Sequence, residues 1–213
     1  MTTPQTILAF ITGALLFIGI CVTKNILTSK ICEKKGDFTP KSLGFNDANP
    51  IKHIDILGLL LYITSGIGWE KKIEMNRTQL SRRGLDLILI FIFRQLFHLV
   101  LIIFSLIILE LMSIPPVINT HSSVIYNFFF QAILSFIATN GIMVIFAFVP
   151  FAPFDMFYLI RDLIPGKIAF LLDSAEQYTP WIIALILSPY SPIFPIIEAT
   201  RTGITEIAIK LLI

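Results

Sequence analysis

Apolar runs at residues 6–23, 85–113, 124–149 and 179–197 dominate this chain. A helix needs about 20 predominantly apolar residues to cross a bilayer, and each run approaches or exceeds that length. Composition agrees, since the 213 residues are 55% hydrophobic and only 14% charged, where a soluble domain carries about 25%. The expectation is an all-α, polytopic membrane protein with about four spans, folded as a single membrane domain over residues 1–213.

The segments between the runs suggest a topology. After the first run comes TKNILTSKICEKKGDFTPKSLGFNDANPIK, with six lysines and Pro and Gly breaks. Residues 54–69, IDILGLLLYITSGIGW, are apolar but short and glycine-rich, which predicts a re-entrant segment in place of a full span. A second basic loop follows, carrying Lys71, Lys72, Arg77, Arg82 and Arg83, whereas residues 114–123 carry no formal charge. The positive-inside rule puts both basic loops on the cytoplasmic or matrix side of an inner membrane, provided that 54–69 does not cross. The N-terminus, loop 114–123 and the C-terminal tail then lie on the other side. Residues 156–172 read as an interfacial helix, 199–213 as an amphipathic one, and Trp69 and Trp181 as interfacial anchors. The first run lacks a basic n-region and an A-x-A cleavage site, so it reads as a retained span.

Other classes fit poorly. The net charge of +2, with no basic patch interleaved with aromatics, argues against nucleic acid. Cys21 and Cys32 lack metal-ligand spacing, and Cys21 lies inside an apolar run, so both read as free thiols.

Several spaced motifs resemble the short-form site-2 metalloproteases. GFNDANPIKHIDILG and GWEKKIEMN are similar to that family's N-P-x-x-H-I-D-P-x-G and G-W-x-K-P-V-x-V-N elements, through Asn49, Pro50, His53, Ile54, Asp55, Gly58, Gly68, Trp69, Lys71 and Asn76. VPFAPFDMFYLIRDLIP resembles its N-x-x-P-x-x-P-x-D-G signature, through Pro150, Pro153 and Asp155. LLDSAEQYTPWIIALIL resembles its entry into the last span. The resemblance implies a site-2-protease-like core of spans, one re-entrant segment and interfacial helices.

It also implies where a metal centre belongs. In that family a helix carries H-E-x-x-H, whose histidines at i and i+4 bind Zn²⁺ while the glutamate serves as general base. Aligning Gly36-Asp37 and the N-P-x-x-H-I-D element puts Lys24 and Thr28 at the histidine positions and Asn25 at the glutamate. An ammonium offers no lone pair, a threonine hydroxyl is a poor zinc ligand, and an amide cannot take a proton from water. The second signature's asparagine falls at Ala147, leaving Asp155 alone of the implied zinc ligands. His53, Asp55, His98 and Asp155 are the residues from which a rearranged site would have to be built, and His121 sits in the uncharged loop.

Arg94 is the most expensive residue in the spans, at roughly 2.5–3.5 kcal/mol near a helix centre. It is expected to pair internally with Asp155 or Asp55, with Lys24 as a second cation for Asp155. The sequence reading is a non-catalytic pseudoprotease serving as an accessory or structural subunit of a larger inner-membrane complex. It expects no cofactor or metal, and as partners membrane lipids and other membrane subunits, with no nucleic acid or soluble small-molecule substrate. Two alternatives stand beside it. One is an intramembrane zinc metalloprotease with a rearranged site; the other is a small transporter or lipid-handling protein using the Arg94–Asp155 region as a polar path.

Overall fold

The fold was analysed in a computed structural model that describes residues 3–113, 124–164 and 166–211; loop 114–123, with His121, lies outside them. Among the described residues there is no strand, only an isolated antiparallel bridge between Ile54 and Glu70. The protein is an all-α membrane protein, and among the described residues three helices are long and apolar enough to cross a bilayer, at Ile11–Lys34, Gly84–Met112 and Val124–Ala147.

Helix α1, Thr3–Lys34, runs well past the apolar stretch that begins it. It stays helical through TKNILTSK because Lys24, Asn25, Thr28 and Ser29 are buried inside the protein and have no need of water. Asp37 then pins the chain, its carboxylate accepting from the amides of Thr39 at 2.9 Å and Asn76 at 2.7 Å. The first of these opens the one-turn helix α2, Thr39–Ser42.

Helix α3, Ile56–Ser65, occupies the expected re-entrant segment. Asp55 caps its start by accepting from Gly58 N at 2.9 Å, and Gly66 ends it in the left-handed region at φ 72°. At 1.5 Å per residue ten residues cover about half of a 30 Å hydrocarbon core. The chain then returns alongside its own entry, since Ile54 bridges Glu70 and Lys71 N donates to His53 O at 2.9 Å. A segment whose two ends are hydrogen-bonded together enters and leaves on one side. The outgoing and returning arms touch backbone to backbone, because a Cβ on Gly58 would fall on the Trp69 carbonyl and one on Gly68 on the Gly58 carbonyl. Gly58→Ala should therefore spread the hairpin and lower thermal stability by about 1–3 kcal/mol, read as a drop in melting temperature in detergent.

Helices α4 (Gly84–Ser113) and α5 (Val124–Ala147) form the main packed pair. The C-terminal third departs from expectation in two places. The interfacial helix predicted at 156–172 is two pieces, α6 (Asp155–Leu163) and α7 (Lys167–Glu176). The span predicted at 179–197 is likewise broken, into α8 (Thr179–Ile186) and α9 (Phe194–Lys210). Pro189 and Pro192 lie in the gap, where their missing N–H and fixed φ cannot continue a helix, while Pro195 sits in the first turn of α9, which tolerates it. Eight residues of α8 are too few to cross alone.

A core of Leu61, Ile67, Trp69, Ile142, Phe154, Ile183, Leu187 and Ile197 joins α3, α5, α8 and α9. Trp69 belongs to it, only 3% exposed and edge-on to Phe154, so it is a core residue and not an interfacial anchor. Trp181 stays 64% exposed.

Candidate functional site

The helical spacing of α1 puts Lys24, Asn25 and Thr28 on one buried face, with Thr28 Oγ1 donating back to Lys24 O at 2.7 Å. Helix α4 presents Arg94, Gln95 and His98 to the same space, the return of the re-entrant hairpin brings Glu70, and the start of α6 brings Asp155.

The arrangement is an open ring of charge, linked from Lys24 through Glu70 and Arg94 to Asp155; Lys24 pairs with Glu70 and not, as expected, with Asp155. Lys24 Nζ lies 2.7 Å from Glu70 Oε1. Arg94 donates to the same oxygen of Glu70, and it grips Asp155 with two parallel bonds, Nε to Oδ2 at 3.0 Å and Nη2 to Oδ1 at 2.9 Å. Its third nitrogen, Nη1, reaches Asn25 Oδ1 at 3.2 Å and Thr28 Oγ1 at 3.4 Å. Gln95 adds a bond to Asp155 Oδ2 at 3.0 Å. Two cations thus face two carboxylates, and the buried site is formally neutral.

His98 extends this ring, and its tautomer follows from its neighbours. The Lys24 ammonium can only donate, so His98 Nε2, at 2.9 Å, accepts. Its Nδ1–H then donates to Asn140 Oδ1 at 2.8 Å, and Asn140 Nδ2 donates to Phe136 O at 2.8 Å. Burial pulls the Asp155 carboxyl up, but the charges of Arg94 and Lys24, with hydrogen bonds from Arg94 and Gln95, outweigh it and hold the group well below the usual carboxylate range. A cavity of about 70 Å³, lined in part by Lys24, Thr28, Glu70, Arg94, Ala147 and Asp155, lies against the ring, and Glu70 Oε2 has no protein partner among the described residues. That volume has room for a few waters.

The remaining motif residues build the loops around this centre. Asn49 caps a short 3-10 turn, accepting from Ile51 N at 3.1 Å, with Pro50 at its first position. His53 is fully buried, its Nε2 lies 2.6 Å from Asp47 O, and its carbonyl receives Lys71 N–H and Asn25 Nδ2. Asp55 is the cap of α3, so the pairing with Arg94 considered for it does not occur. Pro150 and Pro153 shape the turn between α5 and α6 that delivers Asp155, and Pro153 follows a cis peptide bond. His53, Asp55, His98 and Asp155 do not converge: the first two are committed to loop and cap. Among the described residues no three His, Cys, Asp or Glu side chains lie together as an ion's ligands.

Glu70, Gln95 and Asn140 are site residues that the sequence reading missed. Charge balance is the signal that would have found the first. Two cations buried with one carboxylate leave a net charge that a low-dielectric interior does not tolerate, and Glu70 stands between the matched Trp69 and Lys71.

No protein-family model matches the chain, and no solved structure matches it. One relative is informative: a Bacillus subtilis (strain 168) protein named "Putative zinc metalloprotease YwhC" is 28% identical over 183 residues, covering 83% of this chain and 81% of that one. The chain is similar to a protein named for zinc proteolysis.

A zinc centre can therefore be tested against the residues present. The helix face that would hold the i and i+4 ligands holds an ammonium and a hydroxyl, Asp155 is occupied by a guanidinium on both oxygens, and Glu70 is shared by both cations. This donor set does not fit Zn²⁺, whose sites use neutral imidazole, thiolate or carboxylate with no cation among them.

Proposed function

We propose that this chain is a degenerate relative of the site-2 metalloproteases, whose metal centre has been replaced by a salt-bridged ring, and that it serves as an accessory or structural subunit of a membrane complex. One observation carries the reading. Arg94 bridges Glu70 and Asp155, and Lys24 holds the far side of Glu70, at the place where the motif alignment puts the metal. Two single positive charges there balance Glu70 and Asp155 and supply the charge of one divalent ion. The ring holds α1, α4, α6 and the re-entrant hairpin together. In this reading the membrane is an inner membrane, with the basic loops on its cytoplasmic or matrix side.

A second reading, an intramembrane zinc metalloprotease, is favoured by the relative's name. It would draw ligands from Glu70, His98 and Asp155 and would have to displace Lys24 and Arg94 from among them. Elemental analysis of the protein purified from native membranes separates the two. The subunit reading expects no stoichiometric zinc and a constant set of co-purifying chains. One zinc per chain, removable by chelation, overturns it in favour of the protease.

A further inference from the structure

Helix α9 lies against the middle of a spanning helix yet carries charge on its outer side. Ile204 is the residue that a side chain at Gly141 would meet, and Ala208 packs with Leu134, Ile137 and Leu109. At 1.5 Å per residue, Leu134 and Ile137 are about 15–20 Å from the Val124 end of α5, a helix about 36 Å long. The Ile204–Ala208 turn therefore sits near the centre of the span. Exposed Ile207 and Ile209 flank this turn, but polar and charged residues share its outer side. Glu206 and Thr202 are exposed, Glu198 and Arg201 form a loose pair at 3.9 Å with their side chains 44% and 30% exposed, and Arg201 rests against Gly66 at the tip of the re-entrant hairpin. Among the described residues Glu206 forms no ion pair, and exposed Lys210 stands one turn further along the same helix.

A carboxylate at this depth does not face hydrocarbon. Acidic side chains within spans face a protein interior or a water-filled cavity, and they pair. We infer that the outer face of α9, centred on Glu206 and Thr202, is an interface for a transmembrane helix of a different protein that carries a lysine or arginine at the same depth. A second copy of this chain fits less well. The two-fold axis of a membrane dimer runs along the bilayer normal, so each residue meets its own copy at its own depth, and Glu206 would face Glu206. Lipid leaves Glu206 and Lys210 in hydrocarbon with only each other. The inference rests on the reading of the chain as a subunit of a complex, not on the loss of hydrolysis.

The test uses the full-length chain in native membranes, with a photo-crosslinking residue at Thr202 and, as a control, at Leu185, which is 74% exposed on α8. The expected result is one cross-linked product at Thr202, joined to a transmembrane helix that contains a lysine or arginine. Glu206→Leu and Glu206→Lys should each lower the assembled fraction on native gels at least tenfold while leaving the melting temperature of the isolated chain unchanged. Reversing the partner's basic residue to glutamate should restore assembly of E206K. Cross-linking at Thr202 to lipid alone, to a second copy, or to nothing overturns the inference, as does an E206L chain that assembles normally. Zinc measured on the same samples reports on the buried ring, so failure of the pseudoprotease reading and failure of the α9 interface are seen separately.

Discussion

Arg94→Met is expected to destabilise the protein by about 3–5 kcal/mol, the cost of leaving a buried charge uncompensated. The substitution keeps much of the side chain's volume, so the effect is electrostatic and not a cavity. It strips Asp155 of both guanidinium bonds, leaving only the Gln95 amide, and leaves Lys24 as the sole cation for two carboxylates. Total stability of about 5–15 kcal/mol makes such a loss large, visible as a lower melting temperature in detergent and lower yield from the membrane. Asp155→Leu added to R94M should cost less than D155L alone, with a coupling of about 2–3 kcal/mol between the two sites. An R94M chain as stable as the unmodified protein would mean that Arg94 reaches water and that the ring is not a structural centre.

The second large effect is a gain. Lys24→His and Thr28→His together place imidazoles at i and i+4 on one helix face, with Asp155 nearby as a third, carboxylate ligand. We expect this double variant to bind no stoichiometric zinc, because Arg94 still holds both oxygens of Asp155. Adding R94M removes the second cation and leaves Glu70 and Asp155 uncompensated, a deficit of two charges that one Zn²⁺ cancels. The triple variant K24H/T28H/R94M should take up one zinc per chain and be stabilised by it. Binding to the folded state alone contributes about 4 kcal/mol when free metal exceeds its dissociation constant a thousandfold. Elemental analysis and melting curves with and without zinc check this. A triple variant that ignores zinc would show that positions 24 and 28 are not where the metal-binding face belongs.

The parts of the fold legible in the sequence were those that a bilayer enforces. Spanning length set the three long helices, and the short, glycine-rich 54–69 stretch implied a turn back within the membrane. The α1 register was readable because the Gly36-Asp37 turn fixes it: Gly36 adopts φ 98°, and Asp37 ties α1 to the segment beyond Trp69. The break between α8 and α9 was signalled by Pro189 and Pro192, but an apolar count over 179–197 hides it. Two features were out of reach of local pattern. Nothing in an isolated Glu70 says that it lies at the closing bridge of a hairpin beside two cations, and nothing around His98 says that it accepts from Lys24. Both depend on contacts between segments far apart in the chain.

That separation has a consequence in time. The four charged members of the ring are synthesised in the order Lys24, Glu70, Arg94, Asp155, so their signs alternate along the chain. At about 5–20 residues per second, on the order of ten seconds pass between the appearance of Lys24 and that of Asp155. Each new carboxylate arrives to cancel the cation made before it, and the growing bundle never has to hold more than one unbalanced charge as it inserts.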